Sequence, residues 1–197
     1  MNKIKYIILL FILLLLIIPT IVAVDDNIKA DSTIIVNASN ITVGDIEKIT
    51  VHVNEDATGV INITVDGKNY SAPIDKGIAT FKIDNLASGS YDVLASYDGD
   101  ENYLPGTNTS SFSVGKHNAP ISVSAKDVKE GENAVVHVIL PAGATGSVKV
   151  TVYDKSYTNQ LIDGKTTVTV PDLAKGSYIV NVNYSGDDNY LANSTQV

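Results

Sequence analysis

The chain contains no cysteine, no arginine and no tryptophan among its 197 residues, and only one methionine. Without cysteine there is no disulfide framework, no thiolate nucleophile and no thiolate-ligated zinc, so stability has to come from core packing. Without arginine, all 14 basic residues are lysines, set against 22 acids for a net charge of −8. Lys3 and Lys5 fall within the first 24 residues, so the remainder carries 12 lysines and a net charge of −10. An acidic chain with no guanidinium fork offers neither a basic footprint nor bidentate phosphate contacts, which argues against nucleic acid as a partner. Acidity of this kind serves solubility at a crowded surface. A sustained helical period is missing beyond residue 25. G-x-S-x-G, H-E-x-x-H, the P-loop and G-x-G-x-x-G are missing too, so neither an enzyme nor a bound cofactor is expected.

What is present begins with an apolar run. Lys3 and Lys5 flank the start, residues 6–18 are unbroken apolar sequence, and Pro19-Thr20 and four more small or apolar residues lead to Asp25-Asp26. A positive flank and a short apolar stretch make a secretory signal. Residues 7–24 also number 18, enough for an uncleaved helical anchor. Residues 1–24 are read as signal peptide or membrane anchor. Either way the lysines stay inside and the acidic remainder is exported, to the cell surface or beyond.

After a polar spacer at 25–30 the chain repeats itself. Gly89-Ser-Tyr-Asp-Val-Leu-Ala-Ser-Tyr-Asp-Gly-Asp-Glu-Asn-Tyr-Leu104 returns as Gly176-Ser-Tyr-Ile-Val-Asn-Val-Asn-Tyr-Ser-Gly-Asp-Asp-Asn-Tyr-Leu191, an offset of 87 residues. A period this long, holding several strand patterns, means two copies of one small domain. Ile34, Val36 and Ala38 match Ile121, Val123 and Ala125, each set alternating as a strand with one buried face. Residues 49–53 and 135–138 look alike but are displaced by two, which predicts a longer run before the second strand of the first copy and sets His52 beside His137. Val60-Ile-Asn-Ile-Thr-Val65 precedes Asp66-Gly67, a strong two-residue hairpin signal; the second copy has Tyr153-Asp154-Lys155 there, which predicts a different turn. Seven short strands per copy, punctuated by turns, indicate a β-sandwich. Tyr91 and Tyr178 stand where a tyrosine corner falls, entering the sixth strand.

The order of a Gly turn, Thr-Gly-x-Val/Ile, a strand, Leu-x-x-Gly-Ser-Tyr and Tyr-x-Gly-Asp-x-Asn-Tyr resembles the bacterial Ig-like domain of group 3. That family occurs as tandem modules in cell-surface proteins, including adhesin-like proteins of methanogenic archaea. The resemblance covers residues 31–197 and implies no catalytic residues. It predicts an all-β chain of two tandem immunoglobulin-like sandwiches after the N-terminal hydrophobic segment, with domains at 31–115 and 121–197 joined by a linker at 116–120. By the 87-residue offset, the counterpart of residues 111–114 would fall at 198–201, so the second sandwich is expected to lack its last strand. The family's role implies an adhesin-like stalk or adhesive module, whose partners are neighbouring Ig-like modules, a surface ligand (protein or glycan) and, through an uncleaved leader, the membrane. The alternative is a dedicated carbohydrate- or calcium-binding module.

Three groups of residues bear on that choice. Asp98, Asp100, Asp187 and Asp188, with Glu101, Asn102 and Asn189, cluster oxygen atoms in the two acidic turns, the ligand type that calcium takes; Asp, Asn and Gly are equally what a tight turn prefers. His52 and His137 each sit between apolar neighbours and face outward by strand alternation, with no second histidine nearby in sequence. Seven N-x-S/T triplets, at Asn37, Asn40, Asn62, Asn69, Asn108, Asn183 and Asn193, suggest a glycosylated exported protein.

Overall fold

The computed structural model describes residues 28–197, and the leader segment lies outside them. The described chain is all strand and turn. The first unit runs β1 (Ile35–Asn37), β2 (Ile41–Thr42), β3 (Glu47–His52), β4 (Val60–Val65), β5 (Lys68–Pro73), β6 (Ile78–Ile83), β7 (Gly89–Tyr97) and β8 (Gly106–Gly115). The second runs β9 (Ser122–Ala125), β10 (Ala134–Ile139), β11 (Ser147–Val152), β12 (Lys155–Gln160), β13 (Lys165–Val170), β14 (Val180–Tyr184) and β15 (Asn193–Gln196). Each unit folds as two sheets face to face. In the first they are β1-β3-β6 and β2-β8-β7-β4-β5, and in the second β13-β10-β9 and β12-β11-β14-β15. The first unit has eight strands where seven were expected, because its opening strand splits: β1 pairs with β3 in one sheet and β2 crosses to lie parallel to β8 in the other.

Alternation places the core. Along β4, Ile61, Ile63 and Val65 are buried while Asn62 and Thr64 face out, and Val148, Val150 and Val152 do the same along β11. The two cores are separate. Ile49, Val51, Ile61, Ile63, Phe81, Ile83 and Phe112 anchor the first. The second is built almost entirely of valine and alanine around Tyr184. Glu47, 1% exposed, is the one buried charged residue among those described, and its Oε1 accepts the Ser39 amide at 2.8 Å, closing the loop between β1 and β2. The second unit has Ala134 at that place.

Two sequence-based expectations change. The two-residue displacement between the copies is not structural. β3 spans 47–52 and β10 spans 134–139, the same 87-residue offset as everywhere else. The core selects that register, with Ile49 and Val51 buried opposite β6 as Val136 and Val138 are opposite β13. His52 therefore corresponds to Ile139, and His137 to Thr50. The β11–β12 turn has the same length as the β4–β5 turn, since Val152 pairs with Lys155 as Val65 pairs with Lys68, and differs from it in conformation, as expected: both central residues of the first have positive φ, but only Tyr153 of the second. Asp66 and Gly67 take φ of 52° and 69° with ease, whereas the second turn forces Tyr153, 82% exposed, to φ 56°. Replacing Tyr153-Asp154 with Asp-Gly is expected to stabilise the second unit by about 0.5–1 kcal/mol and raise its melting temperature by a few degrees, read by calorimetry. Finally, the last strand of the second unit is short rather than absent. β15 pairs with β14 from Asn193 to Gln196, and Val197 exchanges backbone hydrogen bonds with Val180 at 2.8 and 3.1 Å.

Candidate functional site

The acidic turns were the residues most open to a ligand, and hydrogen bonding decides what their oxygens do. β7 ends at Tyr97 and the chain turns through Asp100 before β8. Asp100 Oδ2 accepts the amide and hydroxyl of Thr58 at 2.8 and 2.9 Å, and Oδ1 accepts the amides of Asn102 and Tyr103 at 2.8 and 2.9 Å. Asp187 repeats the set with Thr145 at 2.7 and 2.8 Å, Asn189 at 2.8 Å and Tyr190 at 2.7 Å. Each carboxylate staples its turn to the residue leading into β4 or β11, 42 positions upstream.

Both carboxyls are held well below the usual carboxylate range. For Asp100 the Thr58 amide is the main cause, against a burial effect of opposite sign. For Asp187 burial is the largest single influence and pushes up, but the Thr145 amide and hydroxyl and the Asn189 and Tyr190 amides together outweigh it. The tyrosine beneath each staple feels the same charge. Tyr97 donates its hydroxyl to the Thr58 carbonyl at 3.1 Å, and burial followed by the Asp100 carboxylate pushes it up to about 12. Tyr184 is pushed up to about 12 by burial and then by Asp187. Its hydroxyl makes no hydrogen bond of good geometry, alone among buried side-chain polar atoms in the described residues.

The calcium reading of Asp98, Asp100, Asp187 and Asp188 is therefore set aside. Asp100 and Asp187 spend both oxygens on protein donors. Asp98 has Ser185 at its place in the second copy, and Asp188 is exposed. Among the described residues no three His, Asp or Glu side chains converge to hold a metal ion. His52 is half-buried on β3, between β1 and β6. His137 has its Nδ1 3.3 Å from the Thr167 hydroxyl. The Tyr91 hydroxyl donates to the Ala87 carbonyl at 2.9 Å and that of Tyr178 to Ala174 at 2.8 Å, tying β7 and the segment leading into β14 to the loops before them. Tyr91 also stacks on Phe112, with ring centroids 5.3 Å apart.

The seven asparagines divide by which atom is engaged. Asn108 and Asn193 donate Nδ2, the atom that would carry a glycan, to the carbonyls of Ile34 and Ala119 at 2.6 and 2.7 Å, tying the last strand to the start of each unit. Asn40 and Asn69 accept through Oδ1 instead. Asn37 and Asn183 lie exposed on β1 and β14, and Asn62 is half-buried on β4.

The site that sequence reasoning missed is the joint between the units. His117 forms a parallel bridge with Tyr190: its amide donates to Asn189 at 2.8 Å and its carbonyl accepts Leu191 at 2.9 Å. From that position its Nε2–H donates to the Val43 carbonyl of the first unit at 2.9 Å. Its ring lies 5.6 Å from Tyr190. The Ser88 hydroxyl adds a second crossing bond, to the Asp188 carbonyl at 3.3 Å. Ala119 is buried in the second core, so the connecting segment packs as part of the second unit. Ala30 makes the same bridge to Tyr103 in the first unit, with bonds of 2.8 Å to Asn102 and Leu104. Lys29 and Lys116 donate to the backbone carbonyls of Asp100 and Asp187. The recurrence of Lys29 as Lys116, at the repeat offset, was the signal in the sequence.

Residues 34–115 match the family of the bacterial Ig-like domain (group 3). No curated protein matches the chain. Among solved structures, the chain is similar to dimeric latent PorU from Porphyromonas gingivalis at 18% identity and TM-score 0.35, covering 91% of this chain and 20% of that one. The chain thus spans about a fifth of PorU. It is similar to the fibronectin(III)-like modules of Clostridium thermocellum CbhA at 14% identity and TM-score 0.34, covering 84% of this chain and 91% of that one. It is also similar to titin A168169 at 12% identity and TM-score 0.39, covering 85% of this chain and 97% of that one. Among the described residues no helix is long and apolar enough to cross a membrane.

Proposed function

We propose that this chain, whose first unit is a bacterial Ig-like domain of group 3, is a non-catalytic, surface-displayed spacer, exported or anchored through its leader, that presents its modules for weak, multivalent adhesion. The observation that carries this reading is the repeated module start. Each unit begins with its own lysine and bridging residue, Lys29-Ala30 and Lys116-His117, laid against its own acidic turn. A unit that includes its own joint segment can be stacked end to end, which is what a stalk needs. Asp100 and Asp187, two of the residues that sequence had offered to a ligand, brace the acidic turn of each copy in the same way, which supports a scaffold role. The outer face of β11, β14 and β15 is lined by Lys149, Thr151, Asn181, Asn183 and Ser194, a polar surface suited to spacing. Several weak modules on one chain raise effective concentration at a surface without any single tight site.

Intact cells producing the chain should react with a membrane-impermeant amine reagent at lysines of both units, mapped by peptide mass spectrometry. Labelling that appears only after lysis would overturn the surface reading.

A further inference from the structure

On the reading that the chain is exported, we propose that Asn37 carries an N-linked glycan whose first sugar covers an apolar row on the outer face of the first unit. Asn37 and Ser39 are both exposed, and β1 is an edge strand of the β1-β3-β6 sheet. The Asn37 side chain has no hydrogen-bond partner among the described residues, so its Nδ2 is open to reaction. The other six acceptor asparagines are less free. Asn108 and Asn193 have Nδ2 bonded to a carbonyl, and Asn40 and Asn69 are held through Oδ1. Asn62 and Asn183 stand on strands paired along both edges. Asn37 alone joins an edge strand, full exposure and an unengaged amide. Attachment forms a bond from Nδ2 to the anomeric carbon of a lipid-linked glycosyl phosphate. The anomeric C–O bond breaks, the lipid phosphate leaves with the electron pair, and one Nδ2 proton passes to a base of the transferase.

Strand alternation puts Ile35 on the same face as Asn37, about 7 Å along the strand. Ile35 lies opposite His52, and His52 opposite Ile78, so the three form one cross-strand row. Ile35 is 51% exposed and Ile78 39%. Asn37, Thr50 and Thr80 form the next row on that face. A pyranose on Nδ2 has a face of C–H groups that can lie over the two isoleucines and the imidazole while its hydroxyls stay in water. The internal repeat links the acceptor to the row. In the second unit Ser124 stands in place of Asn37, and Ser122 and Lys165 stand in place of Ile35 and Ile78, on either side of Ile139. Where the acceptor is missing, both isoleucines are missing with it.

The test uses chains labelled by the amine reagent on intact cells that naturally produce them, so that export is established for the molecules tested. Glycopeptide mass spectrometry should find a glycan on Asn37 in most of these chains. Asn37→Gln and Ser39→Ala, each produced in the same cells, remove the acceptor in two different ways. Each should lower the melting temperature of the first unit by about 5 °C. With Ile35→Ser and Ile78→Lys already in place, the same two substitutions should change it by less than about 1 °C. A bare Asn37 on surface-labelled chains would overturn the proposal and leave export standing. Chains labelled only after lysis would overturn both. A glycan on Asn37 whose removal leaves the melting temperature unchanged, or lowers it equally in the two backgrounds, would overturn the covering of the apolar row.

Discussion

Heating the chain should melt the second unit at least about 10 °C below the first, as two calorimetric transitions rather than one. The cause lies in the cores. Across the 87-residue repeat, Ile49, Ile61, Ile63 and Ile83 become Val136, Val148, Val150 and Val170, and Phe81 becomes Val168. Each Ile-to-Val step in a packed core is worth about 0.5–1.5 kcal/mol, and the loss of an aromatic ring more. Ala95, which becomes Val182, and Val53, which becomes Leu140, run the other way. The sum is several kcal/mol, comparable with the whole stability of a domain this small. The joint is too slight to couple the two, with one histidine bond and one serine bond crossing it. Assignment uses one truncation in each core. Val138→Ala should lower only the lower transition, and Ile63→Ala only the upper, each by 2–4 kcal/mol or about that. A single transition, or an Ile63→Ala effect on the lower one, would contradict this account.

The parts of this fold that could be read from the sequence are those in which one physical rule acts alone. Alternation fixes β4 and β11, because a strand with one buried face has a period of two and their residues obey it. The Asp66-Gly67 turn follows from the ease with which both residues adopt positive φ. The displaced His52 and His137 misled for a definable reason. Similar strings of β-branched residues slid by two keep the same faces, so alternation cannot tell one register from the other; only the pairing with β6 and β13 can. The buried Glu47 was not legible at all, because its partner is a backbone amide in a loop that sequence does not place. The candidate site was half legible. Asp100 and Asp187 stood out as oxygen-rich turn residues, and composition alone does not separate a metal ligand from a staple. The discriminating sign was Thr58 and Thr145, each 42 residues upstream of its aspartate in both copies.

That staple supports the other large effect. Gly99 and Gly186, one residue before each stapling aspartate, sit at φ of 80°. A Cβ on Gly99 would stand 2.6 Å from the Tyr103 carbonyl oxygen and 2.9 Å from the Pro105 nitrogen; one on Gly186 would stand 2.7 Å from the Ala192 nitrogen and 2.9 Å from the Tyr190 carbonyl oxygen. All four contacts are backbone, so no side chain can swing aside, and the left-handed conformation adds its own strain. Gly99→Ala and Gly186→Ala should each cost about 2–4 kcal/mol, the first lowering only the upper transition and the second only the lower. The same turns set the acid limit of stability. Both aspartates are more acidic when folded than the ordinary value of 3.8. Their contribution is therefore complete above about pH 4 and is lost as pH falls toward their lower folded values, because protonation removes the acceptor that holds the Thr58 and Thr145 amides. Asp100→Asn should flatten the fall of the upper transition between pH 4 and about pH 2, and Asp187→Asn that of the lower, followed by calorimetry at a series of pH values. If the acid limb of both variants matched that of the unaltered chain, the carboxylates would not be what holds the turns.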